Sequence, residues 1–266
     1  MELDLIRARL EMQDQQAPRE LAGVDRLVGY RGGGMFHSHN FRIIGDDARY
    51  ITKFPSHEQQ PAHTLFVELA VARLGQLFDP PLTPRPAILD IRPEHVAGVS
   101  CGQAGCPHLL EAGLAFGSRE VPDVVEFRGG ASPAISASAA ARIVVFQTWL
   151  QGGDTQILLG ADEQAYSMDH ANYLQGGYAR VPENDPDPAV SLVCISGLDG
   201  EDRLRSQRVF ASTLQQLELL PEEQIVDAFG GIPTSWWGPL EVRMALAQYA
   251  LARKPAVAAT VAALWR

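Results

Sequence analysis

Apolar residues recur along this chain in two spacings, one suited to strands and one to helices. From residue 28 the pattern reads as a glycine-rich loop, a strand over Asn40–Ile44, a Gly-Asp-Asp turn and a second strand over Arg49–Phe54. A helical spacing follows over His63–Phe78, with Leu65, Phe66, Leu69, Ala70, Leu74 and Leu77 on or near one face, closed by Asp79-Pro80-Pro81. Ala87–Ile91 reads as a strand. Residues 92–131 are rich in Gly, Pro and Cys, with a short helical patch near Leu109, and read as a hinge. A long helix then starts at Ser132-Pro133 or at Ser136 and ends at Gln151. Two short runs, Ile157–Leu159 and Ala165–Met168, flank the turn-forming Gly160–Glu163 and predict a β-hairpin. Residues 171–203 show no regular spacing. The last sixty or so positions are helical: Leu204–Leu219, a helix from Pro221 to Gly230-Gly231, and Leu240–Arg253 with a short closing helix. Residues 1–27 hold a first helix or strand–helix element.

Composition narrows this picture. At 46% hydrophobic residues, the chain of 266 can bury a sizeable core. The net charge of -10 comes without a run of Lys or Arg, so a nucleic-acid partner is not expected. No apolar stretch approaches the ~20 residues of a membrane helix, so no membrane partner is expected either. The charged start, Met1 to Arg7, is unlike a secretory signal. The odd set Cys101, Cys106 and Cys194 argues against a disulfide framework, and the two together predict a cytoplasmic protein. Cys101, Cys106 and His108 supply three metal-ligand types without a fourth nearby.

Only two of the 22 basic residues are lysines, Lys53 and Lys254. A lysine kept against such an arginine bias marks a place for a compact ammonium rather than a planar guanidinium. Lys254 follows Arg253 and has a surface explanation. Lys53 ends a strand behind Gly32-Gly33-Gly34, whose backbone amides are free of Cβ atoms and can approach phosphates. Glu68 lies among Phe66, Val67, Leu69 and Ala70, an apolar setting that suits a partner for Lys53. Asp154 follows Gly152-Gly153, and Asp169 follows the hairpin. The ends of an antiparallel hairpin are neighbours, so these two carboxylates meet at one mouth, where one can hold Mg²⁺ and the other orient a nucleophile.

In order, these parts resemble the protein-kinase-like fold, and more narrowly the HipA-like kinase domain proteins, compact bacterial relatives of the HipA toxin kinase. The resemblance is carried by GGGMFHSHNFRIIGDDARYITKF, FVELAVARLGQLFDPPLTP, VVFQTWLQGGDTQILL with YSMDHANY, and IPTSWW, across most of residues 28–253. It implies a two-lobed α+β fold: a small β-rich N-lobe over residues 1–112 and a mostly helical C-lobe over 113–266. It implies ATP and Mg²⁺ as cofactors, with Gly32, Gly33 and Gly34 over the phosphates, Lys53 contacting them and Glu68 paired with Lys53. Asp154 becomes the catalytic base and Asp169 the metal ligand. Relatives carry a metal-binding asparagine five residues after that base. Leu159 stands there here, so Gln156 becomes the second ligand, with Asn172 as an alternative. The usual arginine beside the base is also missing; Gly153 and Thr155 flank Asp154. The expected activity is transfer of the γ-phosphoryl group of ATP to a Ser/Thr hydroxyl of a protein or to a small-molecule hydroxyl. A nucleotide-binding pseudokinase or interaction module is the alternative. An aminoglycoside-phosphotransferase-like enzyme is a third reading, since Gly-Asp, a hairpin and Asp recur there.

Overall fold

The computed structural model describes residues 1–16, 18, 20–30, 41–54, 62–99, 109–127, 135–152, 156–160, 164–174, 200–236 and 238–264. Those residues form an α+β fold with a six-stranded sheet, a three-stranded sheet and seven α-helices. The larger sheet contains β1 (Leu21–Ala22), β2 (Val24–Tyr30), β3 (Phe41–Gly45), β4 (Arg49–Lys53), β5 (Pro86–Ile91) and β6 (Gly113–Arg119). Its order is β1-β5-β6-β4-β3-β2, antiparallel throughout except for the short β1–β5 pair. Strands β2, β3 and β4 form a meander. Phe41 pairs with Thr52, so the ends of the glycine-rich segment between β2 and β3 open beside the Lys53 end of β4.

Both faces of this sheet are covered, and the period of two sorts its side chains. Phe41, Ile43, Tyr50, Ala87, Leu89, Ile91 and Ala115 enter a small core that also takes Val96 of α3 (Pro93–Val96) and Leu110. Ile88 and Phe116 face the other way, into the main core. Lys53 lies three positions after Tyr50, on the opposite face, and so points toward α2 (Ala62–Gly75). That helix is buried on nearly every side from Leu65 to Ala72, where its sequence reads as a helix with one apolar face. It is wedged between the sheet and the C-terminal helices, and the main core runs through it without a break. Each of these large apolar side chains contributes about 1.5–3 kcal/mol when fully buried.

The segment read as a hinge contains two strands. β6 sits inside the larger sheet, between β5 and β4, although it lies beyond the division drawn at residue 112. Its glycines disguise it: a Cβ on Gly117 would stand 2.8 Å from Leu89 Cδ1, so the strand needs glycine for close approach. Leu109 forms a β-bridge rather than a helical patch. The second strand, β7 (Val125–Phe127), pairs with β8 (Gln156–Leu159), which pairs in turn with β9 (Ala165–Met168). The expected hairpin is therefore present as two strands of a three-stranded sheet.

Helix α4 (Ala137–Leu150) starts at the later of its two possible caps: the Ala139 amide donates to Ser136 Oγ at 3.2 Å. It ends at Gln151, which adopts a left-handed φ of 48°. The remaining helices are α5 (Gly200–Leu219), α6 (Glu222–Asp227) and α7 (Leu240–Leu264), with a 3₁₀ turn at Thr234–Trp236. Trp236 is fully buried there and donates through Nε1 to the Leu114 carbonyl of β6 at 2.9 Å. Helix α7 continues through Pro255, where the sequence predicts a break. An interior proline costs about 3 kcal/mol; Val257, buried beyond it in the main core, shows what offsets that cost. The first helix, α1 (Leu3–Asp14), docks on α6 and α7 rather than on the sheet of the N-terminal part. No helix among the described residues is long and apolar enough to cross a membrane.

Candidate functional site

Strand β4, helix α2 and the turn after β9 converge on one buried ionic cluster. Lys53 Nζ donates to Glu68 Oε1, and to Asp169 Oδ1 at 2.6 Å. Register delivers Lys53, a helix lying against the sheet delivers Glu68, and the Gln156–Met168 pairing of the hairpin brings Asp169 beside Gln156. Gln156 Nε2 donates to Asp169 Oδ2 at 3.2 Å. Asp169 itself sits at φ +55°, a left-handed conformation that costs a non-glycine residue about 1–2 kcal/mol. Its carboxylate meets Lys53 of the larger sheet. Glu68 is 2% exposed and Asp169 21%, so Asp169 is the carboxylate with an open side.

One ammonium here faces two carboxylates, and the protonation behaviour follows from that count. Burial pulls the Lys53 pKa down, but Asp169 and Glu68 more than reverse this and hold it above the ordinary lysine value. Burial pushes the Glu68 carboxyl up, and Lys53 offsets only part of it. Asp169 is also desolvated, yet the attraction of Lys53 wins and keeps it below the usual aspartate range. His170, buried next to the cluster, is lowered to about 3 by burial and by the charge of Lys53. Its imidazole is neutral at ordinary pH. Two carboxylates thus share one ammonium, and Asp169 is the one held as the carboxylate.

Several of the sequence-predicted site residues are brought together: Lys53, Glu68, Asp169 and Gln156. Asn172 is exposed, and Gln156 is the amide that meets Asp169. Leu159 packs partly buried against the main core and offers no ligand. Asp154, the glycines Gly32, Gly33 and Gly34, and Cys101, Cys106 and His108 lie outside the described residues. Lys254 caps a helix: Nζ donates to the Leu220 and Glu218 carbonyls at 2.8 and 3.1 Å, at the end of α5.

Sequence reasoning missed His170, Ser167 and Tyr173, all buried around the cluster. His170 Nε2 lies 3.3 Å from Ser167 Oγ, which lies 2.7 Å from the Tyr173 hydroxyl. The one signal in the sequence was Gly152. A Cβ there would stand 2.8 Å from Tyr173 Cζ, so the glycine makes room for that ring.

Mg²⁺ is normally held by one or two carboxylates together with substrate phosphates. Asp169 supplies one such carboxylate, with Lys53 Nζ and Gln156 Nε2 donating to its two oxygens; no three His, Cys, Asp or Glu side chains gather into a metal site among the described residues. A cavity of about 680 Å³ elsewhere, between α1, α2 and α6, shares none of these residues. Three arginines line it: Arg9 and Arg73 are matched by Asp227 and Glu20, and Arg85 is the third. No protein-family model and no curated protein matches the chain.

Proposed function

We propose that the chain is an ATP-dependent phosphotransferase of protein-kinase-like, HipA-like type, acting on a Ser/Thr or small-molecule hydroxyl. The observation that carries this reading is Lys53, on the third strand of a meander, joined at once to Glu68 of the following helix and to Asp169 after the hairpin. Lys53 would contact a phosphate oxygen, while Glu68 keeps its ammonium in place. Asp169 and Gln156 are the residues that would hold Mg²⁺, which would supply charge neutralisation at the phosphates. Asp154 orients the acceptor hydroxyl and takes its proton, a role typically contributing about 10²–10⁴-fold in rate. Positioning and charge stabilisation account for most of the catalysis.

A second reading, a nucleotide-binding pseudokinase, draws on one observation: the position five after Asp154 is Leu159, which packs on the core instead of offering a ligand. Incubation with γ-labelled ATP and Mg²⁺, followed by mapping of labelled products, separates the two. Label on the protein, on lysate proteins or on small hydroxyl acceptors, abolished by Asp154→Ala with ATP affinity kept, supports the enzyme. ATP binding without transfer to any acceptor selects the pseudokinase. Absence of any ATP-induced rise in melting temperature overturns both.

A further inference from the structure

A smaller cavity, of about 290 Å³, opens where the loop after α2 and the turn of the β8–β9 hairpin meet the start of α4. It shares no residue with the Lys53 cluster or with the larger cavity. Pro80 and Pro81 stop α2, and their carbonyls are taken up by side chains: Arg142 Nη2 donates to Pro80, and Gln164 Nε2 donates to Pro81 at 2.9 Å. Arg142 stands apart from the arginines of the seam. Arg9, Arg73 and Arg243 each meet a carboxylate. Arg142 is half-buried on the cavity wall and forms no ion pair, and its enclosed Nε has no hydrogen-bond partner. Burial pulls its pKa below the ordinary arginine value, and the attraction of Asp79 does not restore it. A guanidinium has five N–H donors and accepts nothing. Here only a neutral carbonyl answers it. The start of α4 adds potential of the same sign. Its Ala139 and Ala140 amides are taken by Ser136 Oγ and the Ser136 carbonyl. The Ser138 amide, one position earlier, has no acceptor within the helix. No acidic residue stands in the first turn to balance the dipole.

We propose that this cavity binds a phosphate group, as the free ion or on a small monoester, with Arg142 as its cationic donor and Ser138 as a hydroxyl donor. The proposal does not rest on the phosphotransferase reading. A guanidinium fork matches phosphate oxygens two at a time, and the enclosed Nε supplies one arm of that fork. A tetrahedral anion keeps further oxygens for the half-buried Ser138 hydroxyl, where a carboxylate spends both of its oxygens on the fork. The volume lies just under the roughly 300–1,000 Å³ of pockets that enclose drug-sized ligands, so the occupant is small. Gln164, held on the Pro81 carbonyl, forms the hairpin side of the wall.

The test is calorimetric titration of inorganic phosphate, and in parallel of free phosphoserine, into protein without nucleotide or metal, at constant ionic strength. Wild type is expected to bind. Arg142→Gln is expected to weaken binding by at least about tenfold, the loss of one charge-assisted fork. Its melting temperature in phosphate-free buffer is expected to hold or rise, because the guanidinium it removes has no anionic partner. Ser138→Glu brings a carboxylate to the first turn of α4. It is expected to raise the melting temperature without phosphate and to remove the response to phosphate, and it stands in for Arg142→Gln should that variant fold poorly. Tighter binding of phosphoserine assigns the site to a monoester; inorganic phosphate bound at least as tightly assigns it to the free ion. Binding that both variants leave intact overturns the proposal, as does binding kept in Arg142→Gln and lost in Lys53→Met, which puts the ion at the Lys53 cluster. Absence of binding of either probe to wild type overturns it as well.

Discussion

Along the seam between α1 and the C-terminal helices, carboxylates and arginines are matched one to one; in the Lys53 cluster two carboxylates share one lysine. Asp227 takes both Arg9 Nε and Arg9 Nη2, and Gln13 adds a third donor. Arg243 meets Asp14 through both terminal nitrogens, with Nε on the Gly238 carbonyl at 2.8 Å. Planar guanidinium forks satisfy these carboxylates, and the charges cancel. Around Lys53 two carboxylates share one ammonium, Asp169 sits in a left-handed backbone conformation, and His170 keeps an unpaired nitrogen. The difference separates an ionic network whose charges are matched from one in which two carboxylates share a single cation.

The sharpest way to break the comparison is Lys53→Met. It leaves Glu68 and Asp169 buried side by side without a cation, and removal of one partner from a buried pair costs about 3–5 kcal/mol. Urea unfolding is expected to show that loss, and the ATP-induced rise in melting temperature is expected to vanish. A variant as stable as wild type would mean that the cluster is not held by Lys53.

Asp169→Asn tests the second carboxylate. It removes a carboxylate that Lys53 stabilises, so stability is expected to fall, while Mg²⁺-dependent transfer falls by at least about 10²-fold, or ~2.7 kcal/mol in the barrier. A fall in stability with transfer unchanged would place Asp169 with the matched pairs of the seam.

The acid side of the stability curve gives the next contrast. His170 is held at about 3 when folded and returns to the ordinary value of ~6.5 when unfolded. The unfolded chain thus takes up the proton first. The contribution of His170 is complete above about pH 6.5 and is lost as pH falls through the window down to about 3. In metal-free buffer, wild type is expected to lose roughly 2 kcal/mol more than His170→Phe between pH 7 and pH 5. Parallel curves for the two proteins would contradict a buried neutral imidazole.

The smallest effect belongs to the seam. Asp227→Asn weakens partly exposed bonds and is expected to cost about 1 kcal/mol, read as a lower urea midpoint, with nucleotide binding and transfer unchanged. A change in transfer larger than the change in stability would extend the functional region to α1 and α6.

Much of this site was legible because composition and local setting converge on single residues. Lys53 stands out against twenty arginines, Glu68 sits in an apolar helix, and the hairpin spacing sets Asp169 beside Gln156. These signals are short in range: alternation over five residues, a helix of four turns, one tight hairpin. The partners that surround them come from other elements. His170, Ser167 and Tyr173 read as ordinary turn and strand residues until α4 and α2 close over them.

The sequence by itself determined the main helices, the two hairpins and which charges are placed against apolar neighbours, because these follow from propensity and period within a few turns. Only the tertiary structure decided the rest. Gly117 turns a hinge-like stretch into the strand between β4 and β5, through a contact with Leu89 nearly thirty residues away in the chain. Helix α1 leaves the sheet for α6 and α7 because Arg9 and Asp14 find Asp227 and Arg243 there. Helix α7 runs past Pro255 because burial beyond it outweighs the lost hydrogen bond. Each of these depends on atoms distant in the chain, where no local pattern records the energy that decides.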